Sequence, residues 1–223
     1  MRRFECRAVL FDLDGVLVDS SSYIEQQWRS WALTKGLDPA PFVKVCHGRR
    51  AVETIRLAAP QLDAEAEVAA FVPDDSQDIP LVAVKGAAQL LESLPPGSWA
   101  VATSGPRAGA VERLRRAGLP VPRVLISAED VLQGKPSPDV YLLAASALGV
   151  APADCVVIED APPGIEAGHA AGMPVIALRT THPIEELVAA DACAESLAGI
   201  HPRQIHRSGP GPALLELSVA ELR

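Results

Sequence analysis

Two aspartates near the start of the chain, Asp12 and Asp14, have the type and spacing needed to act on one ligand. They follow the apolar run Ala8 to Phe11, which predicts a buried strand, and Gly15 comes directly after them. Side chains at positions i and i+2 of an extended chain point the same way, and a glycine allows a sharp turn behind them. In a doubly wound α/β sheet, the ligand crevice lies outside the carboxyl ends of the central strands. Acidic residues there cost stability unless a metal ion or a substrate uses their charge.

The two carboxylates could divide two chemical tasks between them. A carboxylate beside a divalent cation can be a metal ligand and a nucleophile toward phosphorus, and Asp12 is the candidate for this role. Asp14 could then protonate a leaving group and later activate water. The four residues Asp12 to Gly15 alone do not decide the role. They are as compatible with a polar strand-to-loop turn or an unrelated metal site as with catalysis, because Asp and Gly are common in turns.

Three further segments supply the other groups that such chemistry requires. Thr103 and Ser104 end a second apolar run and could donate hydrogen bonds to phosphate oxygens. Lys135 lies in a proline-containing loop and could be a point charge for a phosphate. Glu159 and Asp160 end a third apolar run. Taken singly, these residues could be helix caps or a solvated lysine, but their joint occurrence in this order favours one shared site.

The acidic residues predict a site for a hard cation with oxygen ligands. Mg²⁺ would be bound by Asp12, by the backbone carbonyl of Asp14 and by Asp160, with water and phosphate as the remaining ligands.

These segments together resemble the motifs of the haloacid-dehalogenase-like superfamily of phosphotransferases. The resemblance extends from about Arg7 to about Arg179. Within the superfamily, the stretch Gly134 to Tyr141 and the stretch Val157 to Gly164 are similar to the branch containing β-phosphoglucomutases and sugar-phosphate and glycerol-phosphate phosphatases. Dehalogenating members lack the second aspartate, so the presence of Asp14 favours phosphate chemistry.

The resemblance implies a role for each motif residue. Asp12 would be the nucleophile and Asp14 the general acid and base. Thr103, with the neighbouring Ser104, and Lys135 would hold the transferring phosphoryl group. The required Mg²⁺ would be held by Asp160, and Glu159 would support the site from the layer of residues around the metal ligands.

Composition limits the classes of function. The chain has 223 residues, of which 48% are hydrophobic, enough for one full core with a small accessory domain. A net charge of −8 argues against nucleic-acid binding. The four cysteines are scattered without paired spacing, which favours a reducing cytoplasm over a disulfide framework or a zinc site. The apolar run near the start of the chain is too short for a signal peptide or a membrane span. We also expect the protein to be a monomer.

Strand and helix patterns predict a doubly wound parallel sheet with a small helical cap domain inserted after the first strand. We assign residues 1–18 and 85–223 to the core domain and 19–84 to the cap. Within the cap, helices are predicted over Ser20 to Gly36, Arg50 to Ala59 and Ala64 to Phe71. Core strands are expected near Ala100 to Thr103, Arg123 to Ile126, Val156 to Glu159 and Val175 to Leu178. The segment after Gly199, with Pro202 and the stretch Ser208 to Pro212, is expected to form turns. The last apolar run, Ala213 to Val219, could be an edge strand or a helix.

Substrate choice is expected to depend on the cap. His47 and Arg49 flank Gly48 and are candidates to reach over the active site toward substrate hydroxyls or phosphate. Arg50 could do the same or could be solvated, and Arg107, one turn beyond Thr103, is a weaker candidate.

Three functions therefore remain open. The first is a phosphatase for small sugar or polyol phosphates, and the second is a β-phosphoglucomutase-type phosphomutase with a second phosphate site in the cap. The third is a binding module without turnover, which the presence of Asp12, Asp14, Lys135 and Asp160 disfavours.

Overall fold

The strands of this chain form a large parallel sheet, a small antiparallel sheet and a two-stranded ribbon. The computed structural model describes residues 1–74, 78–205 and 213–222. The strands found there are β1 (Arg2–Cys6), β2 (Ala8–Phe11), β3 (Val18–Asp19), β4 (Val82–Ala83), β5 (Trp99–Ala102), β6 (Leu125–Ile126), β7 (Cys155–Glu159), β8 (Val175–Leu178), β9 (Ala192–Ala194), β10 (Ile200–Ile205) and β11 (Leu214–Val219).

Helices connect these strands and also form the segment between β3 and β4. They are α1 (Ser21–Thr34), α2 (Ala40–Val45), α3 (Ala51–Ala58), α4 (Ala64–Ala69), α5 (Ala87–Ser93), α6 (Arg107–Arg116), α7 (Asp139–Leu148) and α8 (Pro162–Ala170). Within the described residues, no helix is long and apolar enough to cross a membrane.

The central sheet has six parallel strands in the order β6-β5-β2-β7-β8-β9. Its middle strands, β2 and β7, are buried along their whole length, as expected for a parallel sheet covered on both faces. Successive residues of β2 alternate between the two hydrophobic clusters: Val9 and Phe11 belong to one, and Ala8 and Leu10 belong to the other. The predicted doubly wound α/β fold is confirmed.

The final apolar run is a strand in a separate sheet. β11 lies between β1 and β10 and pairs antiparallel with both. Of the two interpretations of this run, the strand is therefore confirmed, although it is a middle strand and not an edge strand, and the helix is wrong. Its residues alternate in burial, with Leu215, Leu217 and Val219 packed into the core. The prediction of turns after Gly199 is wrong for Ile200–Ile205, which pair with β11 and form the strand β10 despite Pro202. Ser208 to Pro212 lie outside the described residues.

The segment between β3 and β4 has its own hydrophobic cluster. The three helices predicted there are present as α1, α3 and α4. A fourth helix, α2, was not predicted; it begins after Pro39 and has a proline in its first turn, where proline is compatible with a helix. Trp28 and Trp31 of α1 pack on Phe42 of α2, with ring centroids 5.8 and 5.2 Å away. We keep the division into a 19–84 cap and a core as a proposal that this separate cluster supports.

The central place of β11 leads to a stability prediction. Leu217 is fully buried, so Leu217→Ala should lower the free energy of unfolding by about 2–5 kcal/mol through lost burial and cavity formation. Urea unfolding followed by circular dichroism measures this change. Leu132 is 95% exposed, and Leu132→Ala is the matched control, expected within about 0.5 kcal/mol of wild type. Equal stability of the two variants would contradict the placement of β11.

Candidate active site

The carboxylates of two neighbouring strands meet at the carboxyl edge of the central sheet. Strand β2 ends at Phe11, which is opposite Ile158 of β7 in the parallel register. The backbone N–H of Asp12 then donates to the carbonyl of Ile158 at 3.0 Å. This pairing brings Asp12 beside Glu159 and Asp160, and all three side chains are buried.

Lys135 is the cation that compensates part of this negative charge. Its ammonium nitrogen Nζ lies 2.5 Å from Asp12 Oδ1 and 2.6 Å from Glu159 Oε1, and its side chain is fully buried. The hydroxyl of Tyr141 donates to the same Glu159 oxygen at 2.6 Å. The other Glu159 oxygen accepts from the backbone N–H of Asp160 at 2.9 Å. Both oxygens of Glu159 therefore accept hydrogen bonds within the protein: one from Lys135 and Tyr141, and the other from the backbone at the end of β7.

The pKa values of these groups show that the cluster is short of positive charge. Burial raises the pKa of Asp12 to about 7, although Lys135 acts in the opposite direction. Burial and the carboxylates of Glu159 and Asp12 raise the pKa of Asp160 well above its usual value. Burial alone would lower the pKa of Lys135, but the charges of Asp12 and Glu159 outweigh it and raise that pKa. One lysine thus faces three buried carboxylates.

The residues present fit a bound divalent cation. Oxygens of Asp12, Glu159 and Asp160 lie within 4.8 Å of one another, and carboxylate oxygens are the donors that a hard cation prefers. Gly15 has a φ of +82°, and a Cβ at this position would lie 2.0 Å from Asp160 Oδ2. The glycine therefore leaves room at the Asp160 carboxylate that a side chain would fill.

The Asp14 side chain points to partners that the sequence analysis missed. Ser20 donates to Asp14 Oδ1 at 2.7 Å, and Arg113 Nη2 donates to Asp14 Oδ2 at 3.0 Å. Nε of Arg113 also lies 2.7 Å from Asp14 Oδ1. Arg113 lies near the end of α6 together with Arg115 and Arg116, which are both exposed. No sequence pattern distinguishes the buried arginine from the two exposed ones.

A cavity of about 540 Å³ opens in front of Asp12 and Asp14. Thr103 and Ser104 line its core side, and His47 and Arg49 line its cap side. The structure therefore brings these predicted residues to one place. Arg107 does not line this cavity: its guanidinium is paired with Asp130 and borders a different surface depression.

The cap side of the cavity contacts the core at several backbone groups. Ser104 Oγ donates to the carbonyl of Gly48 at 3.0 Å. Arg50 is paired with Glu53 and donates to the carbonyls of Val131 and Leu132, both at 3.1 Å. The Arg50 side chain is only 13% exposed, so the interpretation of Arg50 as a solvated residue is wrong.

A loop after β8 adds polar residues that the sequence analysis also missed. The hydroxyl of Thr181 donates to the Asp160 carboxylate, and Nδ1 of His182 lies 3.1 Å from the Asp160 carbonyl. The ring of His182 lies edge-on to the ring of His47, with centroids 6.1 Å apart. Burial, followed by the charge of His47, lowers the pKa of His182. No motif in the sequence distinguishes this loop from an ordinary polar turn.

Comparison with known proteins agrees with this arrangement. A profile of the haloacid dehalogenase-like hydrolases matches residues 6–172, which is more than half of the chain. The chain belongs to the haloacid dehalogenase-like hydrolase family. The family resemblance inferred from the motifs is thus confirmed.

The relatives of this haloacid dehalogenase-like hydrolase include named phosphatases. Over 201 residues it is 40% identical to hexitol phosphatase A of Escherichia coli (strain K12), and the match covers 87% of this chain and 93% of the relative. It is 36% identical to glycerol-1-phosphate phosphohydrolase 2 of Saccharomyces cerevisiae, covering 81% of this chain and 77% of that one. A β-phosphoglucomutase from Clostridium difficile has a similar structure, with a TM-score of 0.68, 25% identity and coverage of 86% and 92%.

The buried charges of this haloacid dehalogenase-like hydrolase lead to a prediction about Lys135. Lys135→Met removes the ion-pair partner of Asp12 and Glu159, and in a chelating buffer at pH 8 it should lower the free energy of unfolding by about 3–5 kcal/mol. Burial raises the pKa of Asp12 to about 7 even though Lys135 acts to lower it, so the loss of Lys135 should raise this pKa further. Protonation of Asp12 as the pH falls should then restore more stability to the variant than to the wild type. The deficit should therefore shrink as the pH falls from 8 toward 5.

Urea unfolding at both pH values, with EDTA present, measures this effect. Lys85→Met is the matched control, because Lys85 is exposed and its replacement should change stability by less than about 0.5 kcal/mol. A Lys135→Met variant as stable as wild type at pH 8 would show that Lys135 does not compensate the carboxylates.

Proposed function

We propose that this protein is a Mg²⁺-dependent phosphatase that hydrolyses small sugar or polyol phosphates through an aspartyl-phosphate formed on Asp12. The observation that carries the proposal is the position of Asp12, which ends a buried central strand, pairs with Lys135 and borders the cavity. Membership of the family and the phosphatases among its relatives confirm the prediction of a phosphoric monoester hydrolase.

The first step would transfer the phosphoryl group to Asp12. A carboxylate oxygen of Asp12 attacks phosphorus in line with the leaving oxygen, and the P–O bond to the sugar or polyol breaks. Thr103 and Ser104 would donate hydrogen bonds to phosphoryl oxygens, since both line the cavity beside Asp12. Lys135, already 2.5 Å from Asp12 Oδ1, would offset the negative charge that gathers there.

Asp14 would move the protons in both steps. It gives a proton to the leaving oxygen in the first step and so becomes a carboxylate. In the second step it takes a proton from the water that attacks the phosphorus, and Asp12 is released. Asp14 borders the same cavity as Asp12, as both transfers require.

Mg²⁺ would be held by Asp12, by the Asp14 backbone carbonyl and by Asp160, with Glu159 behind them. When bound, it would supply positive charge to the phosphoryl oxygens and to the buried carboxylates. The raised pKa values of Asp12 and Asp160 support this assignment.

The cap would choose the substrate. His47 and Arg49 line the cavity opposite Asp12 and could contact hydroxyl groups or phosphate. The named substrates of two relatives, a hexitol phosphate and glycerol 1-phosphate, are both phosphorylated polyols. We therefore propose polyol phosphates as the preferred substrates.

The cellular compartment and the partners of the enzyme are proposed from its cysteines and its net charge. All four cysteines are free, and Cys6, Cys46 and Cys155 are buried, which supports a reducing cytoplasm. We propose a monomer that binds neither nucleic acid nor membrane, in line with the net charge of −8.

A phosphomutase is the second candidate. The structural similarity to a β-phosphoglucomutase favours it, and Arg49 on the cap side of the cavity could contribute to a second phosphate site.

A substrate panel tests the proposed function. Phosphate release should be measured with Mg²⁺ for hexitol, glycerol, hexose and pentose phosphates, beside an assay for conversion of β-glucose 1-phosphate to glucose 6-phosphate. We expect phosphate release, with the highest kcat/KM for polyol phosphates, and loss of activity on chelation by EDTA. Isomerisation without net phosphate release would favour the phosphomutase, and activity that survives chelation would refute the metal assignment.

Variants of the two aspartates test their division of labour. Asp12→Asn should abolish turnover and leave the circular dichroism spectrum unchanged, because an amide is a poor nucleophile. Asp14→Asn should still be phosphorylated by p-nitrophenyl phosphate, whose leaving group needs no proton, but should release phosphate at least about 100-fold more slowly. Intact-mass spectrometry after rapid quenching detects the trapped phosphoenzyme. Its absence in Asp14→Asn, with no burst of p-nitrophenol, would count against these roles.

A further inference from the structure

The Asp14 carboxylate is held at both of its oxygens. Ser20 Oγ donates to Oδ1 at 2.7 Å, and Nε of Arg113 lies 2.7 Å from the same oxygen. Nη2 of Arg113 donates to Oδ2 at 3.0 Å. Arg113 thus donates one hydrogen bond to Oδ2, while its Nε is in ion-pair contact with Oδ1 without hydrogen-bond geometry. A planar guanidinium in contact with both oxygens of a carboxylate restricts its rotation more than a single point charge does.

The surrounding chain leaves a slot for the Arg113 guanidinium. A Cβ on Gly105 would lie 2.6 Å from Arg113 Nη2, and a Cβ on Gly109 would lie 3.0 Å from Nη1. Both glycines, like Arg113, border the cavity in front of Asp12. Arg113 as a residue is 8% exposed, whereas Arg115 of the same helix is exposed. The guanidinium is thus placed against Asp14 by close packing.

We propose that Arg113 is a positioning residue that holds the Asp14 side chain in the orientation in which its acid form gives a proton to the leaving oxygen and its carboxylate then takes a proton from the attacking water. This inference rests on the proposed function, in which Asp14 is the general acid and base. Phosphoryl transfer from an ester whose leaving group needs no proton would not depend on Arg113, because Lys135, and not Arg113, pairs with the Asp12 nucleophile.

Two other roles for Arg113 make different predictions. If Arg113 bound the phosphoryl group directly, its loss would weaken every phosphate ester and inorganic phosphate alike. If it only stabilised the fold, its loss would lower stability without changing the relative rates for different leaving groups. A positioning role affects only steps that move a proton at Asp14. An alkoxide needs a proton in order to leave, and p-nitrophenolate does not.

The experiment compares Arg113→Lys and Arg113→Gln with Arg115→Gln as the matched control. The substrates are a hexitol phosphate and p-nitrophenyl phosphate, and inorganic phosphate is the competitive inhibitor. In both Arg113 variants, kcat/KM for the hexitol phosphate should fall about 10- to 100-fold, as part of what general acid catalysis contributes. For p-nitrophenyl phosphate, kcat/KM should stay within about threefold of wild type. The inhibition constant of phosphate should also be unchanged.

Accumulation of the intermediate gives a second readout. The second step also needs Asp14, so the Arg113 variants should show a burst of p-nitrophenol and a phosphoenzyme that is detectable by intact-mass spectrometry. Arg115→Gln should behave as wild type in every assay. Arg113→Lys keeps the charge but cannot engage both oxygens, so it tests the proposal even if Arg113→Gln fails to fold.

Several results would overturn the proposal. Equal losses for both substrates with a raised phosphate inhibition constant would make Arg113 a phosphate ligand. Unchanged leaving-group dependence in Arg113→Lys would make it structural. If the wild type hydrolysed no phosphate ester, the proposed function would fail first, and crystal structures would then decide: an Asp14 side chain in the same orientation in wild type and Arg113→Lys would overturn the positioning role.

Discussion

The burial of three carboxylates beside one lysine is the constraint on which the rest of the active-site structure depends. Asp12, Glu159 and Asp160 are all at most 3% exposed, and Lys135 is the ammonium that lies among them. An uncompensated buried charge costs several kcal/mol, so each carboxylate needs specific partners. Tyr141 and backbone N–H groups supply them for Glu159, and Thr181 does so for Asp160. The excess negative charge that remains in front of Asp12 is suited to a cation and a phosphoryl group.

The same constraint explains the small residues around the cluster. A Cβ on Gly164 would lie 1.7 Å from Glu159 Oε1, and a Cβ on Gly15 would lie 2.0 Å from Asp160 Oδ2. Glycine at both positions lets the backbone approach the carboxylates closely. The turn after β2 and the start of α8 can therefore enclose the charged groups without displacing them, and water is kept from the Lys135 pairs.

Residues that depend on local pattern could be predicted, and residues that depend on distant packing could not. Asp12, Glu159 and Asp160 lie at the ends of short apolar runs that indicate strands, and parallel pairing brings such strand ends together. β1 pairs with β11 across almost the whole chain, and β11 is short enough to be read as a strand or a helix. Arg113 reads as one arginine of a basic helix, because its partner Asp14 is 99 residues away.

In the proposed function, contacts between the segment 19–84 and the core would connect substrate choice with the chemistry. Glu53 of the cap accepts from the backbone N–H of Gly134, the residue before Lys135, at 3.0 Å. On the other side of the cavity, Ser104 donates to the carbonyl of Gly48, which lies between His47 and Arg49. The carbonyl of Gly48, next to both candidate substrate-contacting residues, is therefore joined directly to Ser104, and Glu53, farther along the same segment, is joined to the residue before Lys135. A substrate that displaced the cap would strain these contacts with the loop of Lys135 and the Ser104 turn, so poor substrates should lose kcat as well as binding.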